Sequence, residues 1–187
     1  MAISIENINT AGAVVTVGGT VNAADSDGYY WGTTGGTDVG CTTDGVSVTY
    51  SFDKTDIFCD QTLAAVDSSV TGENCEVKFS LLETDATKLK VALQNCEYTE
   101  NVGVDRKIGI GGKRSFTFIP LMLEVADNDT GLLTTWTFYK VLSSSFEIKF
   151  ERENPSKVAV TFTAYAETSH AVGHQLFSIH EDIDVTP

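Results

Sequence analysis

Apolar and polar residues alternate with a period of two along much of this chain, the pattern of strands with one buried face. In "CEVKFSLLE", Cys75, Val77, Phe79 and Leu81 fall on one face and Glu76, Lys78 and Ser80 on the other. "SFEIKFERE" sets Phe146, Ile148 and Phe150 against Glu147, Lys149 and Glu151. "KVAVTFTAYAE" sets Val158, Val160, Phe162 and Ala164 against Ala159, Thr161, Thr163 and Tyr165. Further strands are expected over 12–22, 27–34, 114–126 and 131–142. Turn chemistry separates them at Asp25-Ser26-Asp27-Gly28, at Asp127 to Gly131 and at Glu153-Asn154-Pro155.

One segment departs from this period. In "TDATKLKVALQN" (84–95), Ala86, Leu89 and Leu93 share a helical stripe, with Lys88 and Lys90 off it. Thr84 is the expected N-cap and Asp85 lies in the first turn. Many antiparallel strands and one amphipathic helix predict an all-β sandwich or barrel with a single flanking helix. No internal repeat or low-complexity tract interrupts it. One domain over 1–187 is expected, with an N-terminal arm (1–11), a long loop or hairpin arm (40–72) and a C-terminal extension (181–187).

The arm is the least core-like stretch. Val46, Val48, Tyr50 and Phe52 alternate with Ser47, Thr49 and Ser51, and a polar break follows at Asp53 to Asp56. A second weakly apolar run passes through Ile57, Cys59, Leu63 and Val66. An extended hairpin over about 45–70 lacks a core of its own, so it needs something to lie against. Two strands also carry a second face unlike a solvated one. The segment "LLTTWTFYKVL" is apolar on nearly every side, and Ala159, Thr161, Thr163 and Tyr165 are small or amphipathic. One helix is too little cover for so much apolar strand, so a partner subunit is expected to supply the rest.

Composition narrows the function. With 42% hydrophobic and 20% charged residues the chain is globular rather than disordered. Its net charge of −14 disfavours gripping nucleic acid by its phosphates. The charge is uneven. From Met1 to Cys75 the chain holds ten acidic side chains and a single lysine, Lys54, whereas Arg106, Lys107, Lys113 and Arg114 cluster in "DRKIGIGGKR". The N-terminal "MAISIENINTAGAVV" lacks the basic and sustained apolar regions of a signal peptide, and no apolar run approaches about 18 residues, so folding in a cytoplasm without membrane insertion is expected. In that setting Cys41, Cys59, Cys75 and Cys96 are expected as free thiols, since their spacing fits no metal knuckle. A late disulfide in an exported particle is the alternative.

Candidate chemistry is thin. His170 and His174 in "HAVGH" have the spacing of a metal pair, but Gly173 makes the segment a loop, expected to be solvated. "DNDTG" and "DSDG" resemble the start of a calcium loop and lack its distal Glu, so hairpin turns are expected. "GIGGK" lacks both the spacing and the following helix of a phosphate loop. No G-x-S-x-G elbow is present, although a Ser, His and Asp set assembled from distant residues stays open. No enzyme activity, metal or cofactor is expected.

The order of these features is more telling than any motif. The polar arm "DQTLAAVDSSVTGENCEVKFSLLETDATKLKVAL" runs through a Thr-Gly turn into an alternating strand and then the helix. "NPSKVAVTFTAYAETSHAVGHQLFSIHED" runs from a Pro turn into a V-x-V-x-F-x-A strand, a Gly-containing loop and a short closing strand. Over roughly 45–95 and 114–182 this order resembles the tail tube (major tail) proteins of long-tailed bacteriophages, which are similar in fold to type VI secretion tube proteins. The resemblance implies a structural virion protein without catalytic residues. Its copies would form hexameric rings stacked into a hollow tube, with tape measure, tail terminator and tail tip proteins as partners. It further implies assembly in the bacterial host cytoplasm, a place in the virion tail, and DNA that passes through unbound.

On this expectation Val46, Val48, Tyr50, Phe52, Asp53, Asp56, Asp60 and Asp67 form an inter-subunit arm. The basic patch of Arg106, Lys107, Lys113 and Arg114 on a neighbour would receive it. Glu147, Lys149 and Glu151 are candidates for the lumen, where six copies would carry about −84 and repel DNA over roughly 8 Å. The other reading is a monomeric β-sandwich adhesive or carbohydrate-binding module, with Tyr29, Tyr30 and Trp31 as a sugar platform.

Overall fold

The computed structural model describes residues 12–126, 131–150 and 156–183. The expected N-terminal arm at 1–11, the turns at 127–130 and 153–155, Glu151 and residues 184–187 lie outside the described residues. The elements are β1 (Ala13–Val17), β2 (Thr20–Val21), β3 (Thr33–Thr34), β4 (Thr37–Asp38), β5 (Thr42–Phe58), β6 (Ala65–Leu81), α1 (Ala86–Ala92), β7 (Cys96–Asn101), β8 (Asp105–Ile110), β9 (Ile119–Ala126), β10 (Leu133–Lys149), β11 (Lys157–Ala164) and β12 (Phe177–Glu181). The expected all-β architecture with one helix is present. No helix among the described residues is long and apolar enough to cross a membrane.

Eight strands form one antiparallel sheet in the order β4-β1-β9-β10-β11-β6-β5, with β12 added on β10. Strand β10 changes partners along its length. Residues 133–138 lie between β9 and β12, whereas residues 141–149 pair with β11. Irregularities in the ladder mark the change, between Phe138 and Val141 against β9 and between Ser143 and Ser145 against β11. Bulges let one strand serve two sheet layers. Val15, Val17, Leu121, Leu123 and Phe138 from one half and Val77, Phe79, Leu81, Val158, Val160 and Phe162 from the other form a single buried cluster.

The alternation predicts two strands, over 131–142 and 145–153, where one 17-residue strand runs. Its serines sit at the bulge, which hides the continuity. Ile148 packs on the core, but Phe146 and Phe150 are exposed, because the core thins toward this end of β10. The strand expected over 12–22 is broken at Gly18 and Gly19, both with φ of 83°. A side chain at Gly19 would meet backbone of Thr34 and Gly36 at 2.6 Å, so only glycine fits this crossing. The strands expected over 27–34 and 114–126 shrink to β3 and β9. The β7–β8 hairpin has no counterpart in the sequence reading, because "CEYTEN" and "DRKIGI" alternate too weakly.

Helix α1 is shorter than expected and begins one residue later. Its N-cap is Asp85, not Thr84; the Asp85 carboxylate accepts from the backbone N–H groups of Thr87 (2.7 Å) and Lys88 (2.9 Å). Leu89 and Val91 pack against the core, and Ala92 is buried. The Lys88 and Thr87 amides hold the Asp85 carboxyl below its ordinary value. Asp85→Ala is expected to cost about 1 kcal/mol, and Asp85→Asn much less. Because the folded-state pKa is lowered, the Asp85 contribution is complete above its ordinary value of 3.8 and fades as pH falls below it. Urea denaturation of wild type and Asp85→Ala at pH 7 and pH 3 should show the gap narrowing in acid.

Candidate assembly interface

Strands β5 and β6 form a hairpin that outgrows the sheet. Near its root Val46 pairs with Phe79 and Val48 with Val77, so Val46 and Val48 belong to the edge of the core rather than to a free arm. From Tyr50 outward the same face leaves the body. Tyr50, Phe52, Phe58 and Val70 are exposed, and Leu63 at the tip is fully so. Asp53, Asp56, Asp60 and Asp67 are exposed along this overhang. Lys54 bridges Asp56 at 3.1 Å, and the Tyr50 hydroxyl donates to Glu73 at 3.0 Å, which with burial raises the phenol pKa.

The body end of the hairpin continues into a four-stranded stretch, the second half of β10 followed by β11, β6 and β5. One face of it is core. The other presents Glu147, Ser145 and Lys149 of β10 beside Ala159, Thr161 and Thr163 of β11, then Glu76, Lys78 and Ser80 of β6. Two lumen candidates, Glu147 and Lys149, therefore share a small-residue polar face; Glu151 lies outside the described residues. Charges of both signs meet there, and Lys78 bridges Glu76 at 2.7 Å. Both borders are edges. Among the described residues, β5 pairs along its length with β6 alone, and over 143–149 β10 pairs with no strand but β11, its first amide, Ser143, donating to the Gln94 side chain at 3.1 Å. An open edge of this length is a template for another chain.

The basic residues divide into two pairs. Arg106 and Lys107 lie on β8 and are held within their own hairpin, Arg106 by Glu100 and Lys107 by Asp105, each at 2.8 Å. These contacts lower the Glu100 and Asp105 pKa values. Lys113 and Arg114 are exposed on the strandless segment between β8 and β9 and have no ion pair among the described residues. Within one copy, the arm acids and these four cations are not brought into ion pairs.

Sequence reading misses a clasp that closes the other half of the molecule. Tyr29 stacks on His174 with ring centroids 4.2 Å apart, Tyr30 on His170 at 3.8 Å and Trp31 on His180 at 3.9 Å. The histidine rings are thus packed, while Ala171, Val172 and Gly173 between His170 and His174 are exposed. Gly32 donates its amide to the Thr137 hydroxyl at 2.7 Å, and the hydroxyls of Tyr139 and Ser178 both donate to the Tyr30 carbonyl. Part of the second face of β10 is therefore covered by the chain itself rather than by the expected partner. The rings of a would-be sugar platform each have one face taken by an imidazole. Each of these pairs joins the early part of the chain to its late part, which leaves no local signal for them.

Among the described residues no group of three or more His, Cys, Asp or Glu could share a metal ion. The four cysteines are unbridged, and burial pushes the Cys75 thiol up to about 11. The "DSDG" turn is held together by its own first residue: the Asp25 carboxylate accepts from the amides of Asp27 and Tyr29.

No family model matches the sequence, and no curated protein matches it. Solved structures do match in fold. A chain of an extracellular contractile injection system, the PVC sheath–tube complex in its extended state, aligns with a TM-score of 0.56 at 9% identity, covering 97% of this chain and 100% of that one. A chain of the anti-feeding prophage cap, which terminates the tube, aligns with a TM-score of 0.55 at 10% identity, covering 97% and 95%. The fold is tail-tube-like. In this tail-tube-like fold the long hairpin, the two strand edges and the polar face between them are left exposed among the described residues.

The clasp has a measurable anchor. Lys140 of β10 bridges Glu167 at 3.0 Å, and the Ser169 amide and hydroxyl also donate to that carboxylate. Lys140 first, then Ser169, lowers the Glu167 pKa to about 2. Glu167→Gln should loosen the histidine loop, read as faster amide exchange over 167–176. Since the folded pKa is lowered, the stability gap from wild type is full above the ordinary value of 4.5 and shrinks as pH falls toward 2.

Proposed function

We propose that this chain is a structural subunit that closes into rings, and that the rings stack into a hollow tail tube. The carrying observation is the four-stranded sheet with two open edges and a polar, small-residue face. Joining the β5 edge of one copy to the β10 edge of the next is a heterologous contact, which generates a ring when its rotation closes. It removes both exposed edges at once. The alignment with chains of a sheath–tube complex and a tube-terminating cap supports a tube. The resemblance to phage tail tube proteins supports six copies per ring, with a tape measure inside and terminator and tip proteins at the ends.

In such a ring the polar face lines the bore. Glu76, Lys78, Glu147 and Lys149 balance one another there and Lys157, opposite Lys149, is bridged by Asp44 at 3.0 Å, so the wall offers no cationic cluster to hold phosphate, and DNA slides through without a specific site. The acidic excess sits on the arm instead, where it reaches a neighbouring copy. Lys113 and Arg114 are the cations placed to meet Asp53, Asp56, Asp60 and Asp67 across copies. Nothing in this arrangement calls for a catalytic group. The location is the virion tail, after assembly in the host cytoplasm.

At high concentration, negative-stain micrographs of the purified protein should show rings or tubes; compact monomers under every salt condition would sink the proposal and favour a monomeric binding module. Hydrogen exchange should show residues 45–58 and 143–149 gaining protection on assembly, and equal protection in monomer and tube would count against edge pairing. Reversing Lys113 and Arg114 to Glu should impair polymerisation while leaving the monomer's circular dichroism unchanged. The pair Arg106 and Lys107 is a less clean target, since its reversal also breaks two ion pairs within the hairpin.

A further inference from the structure

The β7–β8 hairpin ends in a turn whose apolar side chains stand exposed among the described residues. The Val104 amide donates to the Asn101 carbonyl at 2.9 Å, and the Asn101 side chain donates to Asp105. This braced turn holds out two valines, Val102 at 91% and Val104 at 83% exposure. Elsewhere a cavity of about 440 Å³ opens between the root of the β5–β6 arm and the segment leading into β12. Tyr29, Tyr50, Val172, Leu176, Phe177 and Ile179 give it an apolar lining, with Glu73, His174, Gln175 and Ser178 as its polar contribution. Val172 on its rim is 92% exposed.

We propose that the Val102–Val104 turn of one copy seats in this cavity on a neighbouring copy. This rests on the self-assembly reading above and names one of its contacts. Two exposed apolar tips compete for the cavity, and charge separates them. The arm tip brings Asp60 with Leu63 toward an opening that already holds Glu73. The hairpin tip carries Asp105 and Glu100 matched by Lys107 and Arg106, followed by the cations Lys113 and Arg114. It therefore enters an acid-rimmed cavity without net repulsion, whereas the arm tip does not. The turn is ordered before contact, so little entropy is lost on seating. Hairpin and cavity are different surfaces, so the contact is again head-to-tail and propagates from copy to copy.

Disulfide trapping between separately tagged copies tests it, with Cys41, Cys59 and Cys96 changed to Ser in every chain. Mixing Val102→Cys with Val172→Cys should give a mixed disulfide dimer under assembling conditions, and mixing Leu63→Cys with Val172→Cys should not. Val102→Asp with Val104→Asp should raise the concentration needed for assembly at least about tenfold, with monomer stability unchanged. Wild-type tubes without a 102–172 crosslink, or with a 63–172 crosslink in its place, would overturn this contact and leave self-assembly standing. Wild-type chains that never assemble would overturn the contact together with the reading beneath it.

Discussion

The two sheet layers are tied together by the backbone hydrogen bonding of one strand, β10. Every buried backbone N–H and C=O must find a partner. Over its first half β10 meets that demand on both sides, from β9 and β12; over its second half it does so on one side, from β11. The ladder irregularities around Val141 and Ser143 let the same strand belong to two layers and draw their inner faces into one core. Because a single continuous backbone ties the layers, neither can shift register without disturbing the other. Over 143–149 the other edge of β10 pairs with no second strand among the described residues.

The two halves of the molecule handle exposed surface in opposite ways. Around β12 the chain is self-sufficient: three aromatic rings in a row each meet a histidine, and a backbone carbonyl at Tyr30 accepts from two hydroxyls. Around β5 and β6 it is not. Among the described residues a 17-residue strand ends the sheet with its outer edge unpaired, and the hairpin continues past the core with Phe52, Phe58 and Leu63 exposed. Isolated apolar residues on a surface need no explanation, but an edge, an overhang and an adjoining cavity together do. On the proposed reading, copies of the same chain would cover all three.

Charge follows the same division. Asp53, Asp56, Asp60 and Asp67 gather on the overhanging arm, while the polar face between the open edges balances Glu with Lys. The net charge of −14 therefore belongs to the surfaces around that face rather than to the face itself. In the proposed assembly, charge of that size would oppose association except where cations such as Lys113 and Arg114 meet the arm.

Strand faces, the single helix and the long hairpin are legible in the chain before it folds, because a period of two or of 3.6 is a local property that each segment carries alone. Cys75 to Leu81 and Val158 to Ala164 bury the side chains their alternation selects. The acids of the arm and the four cations in one short stretch are equally plain. The folded arrangement was needed to show that two expected strands are one, that Asp85 rather than Thr84 caps the helix, and that Val46 and Val48 sit on the core. The same holds for His170, His174 and His180, whose aromatic partners Tyr30, Tyr29 and Trp31 come from near the opposite end of the sequence. Such pairings depend on which strands become neighbours, and no local pattern encodes a neighbour brought in from the far end of the chain.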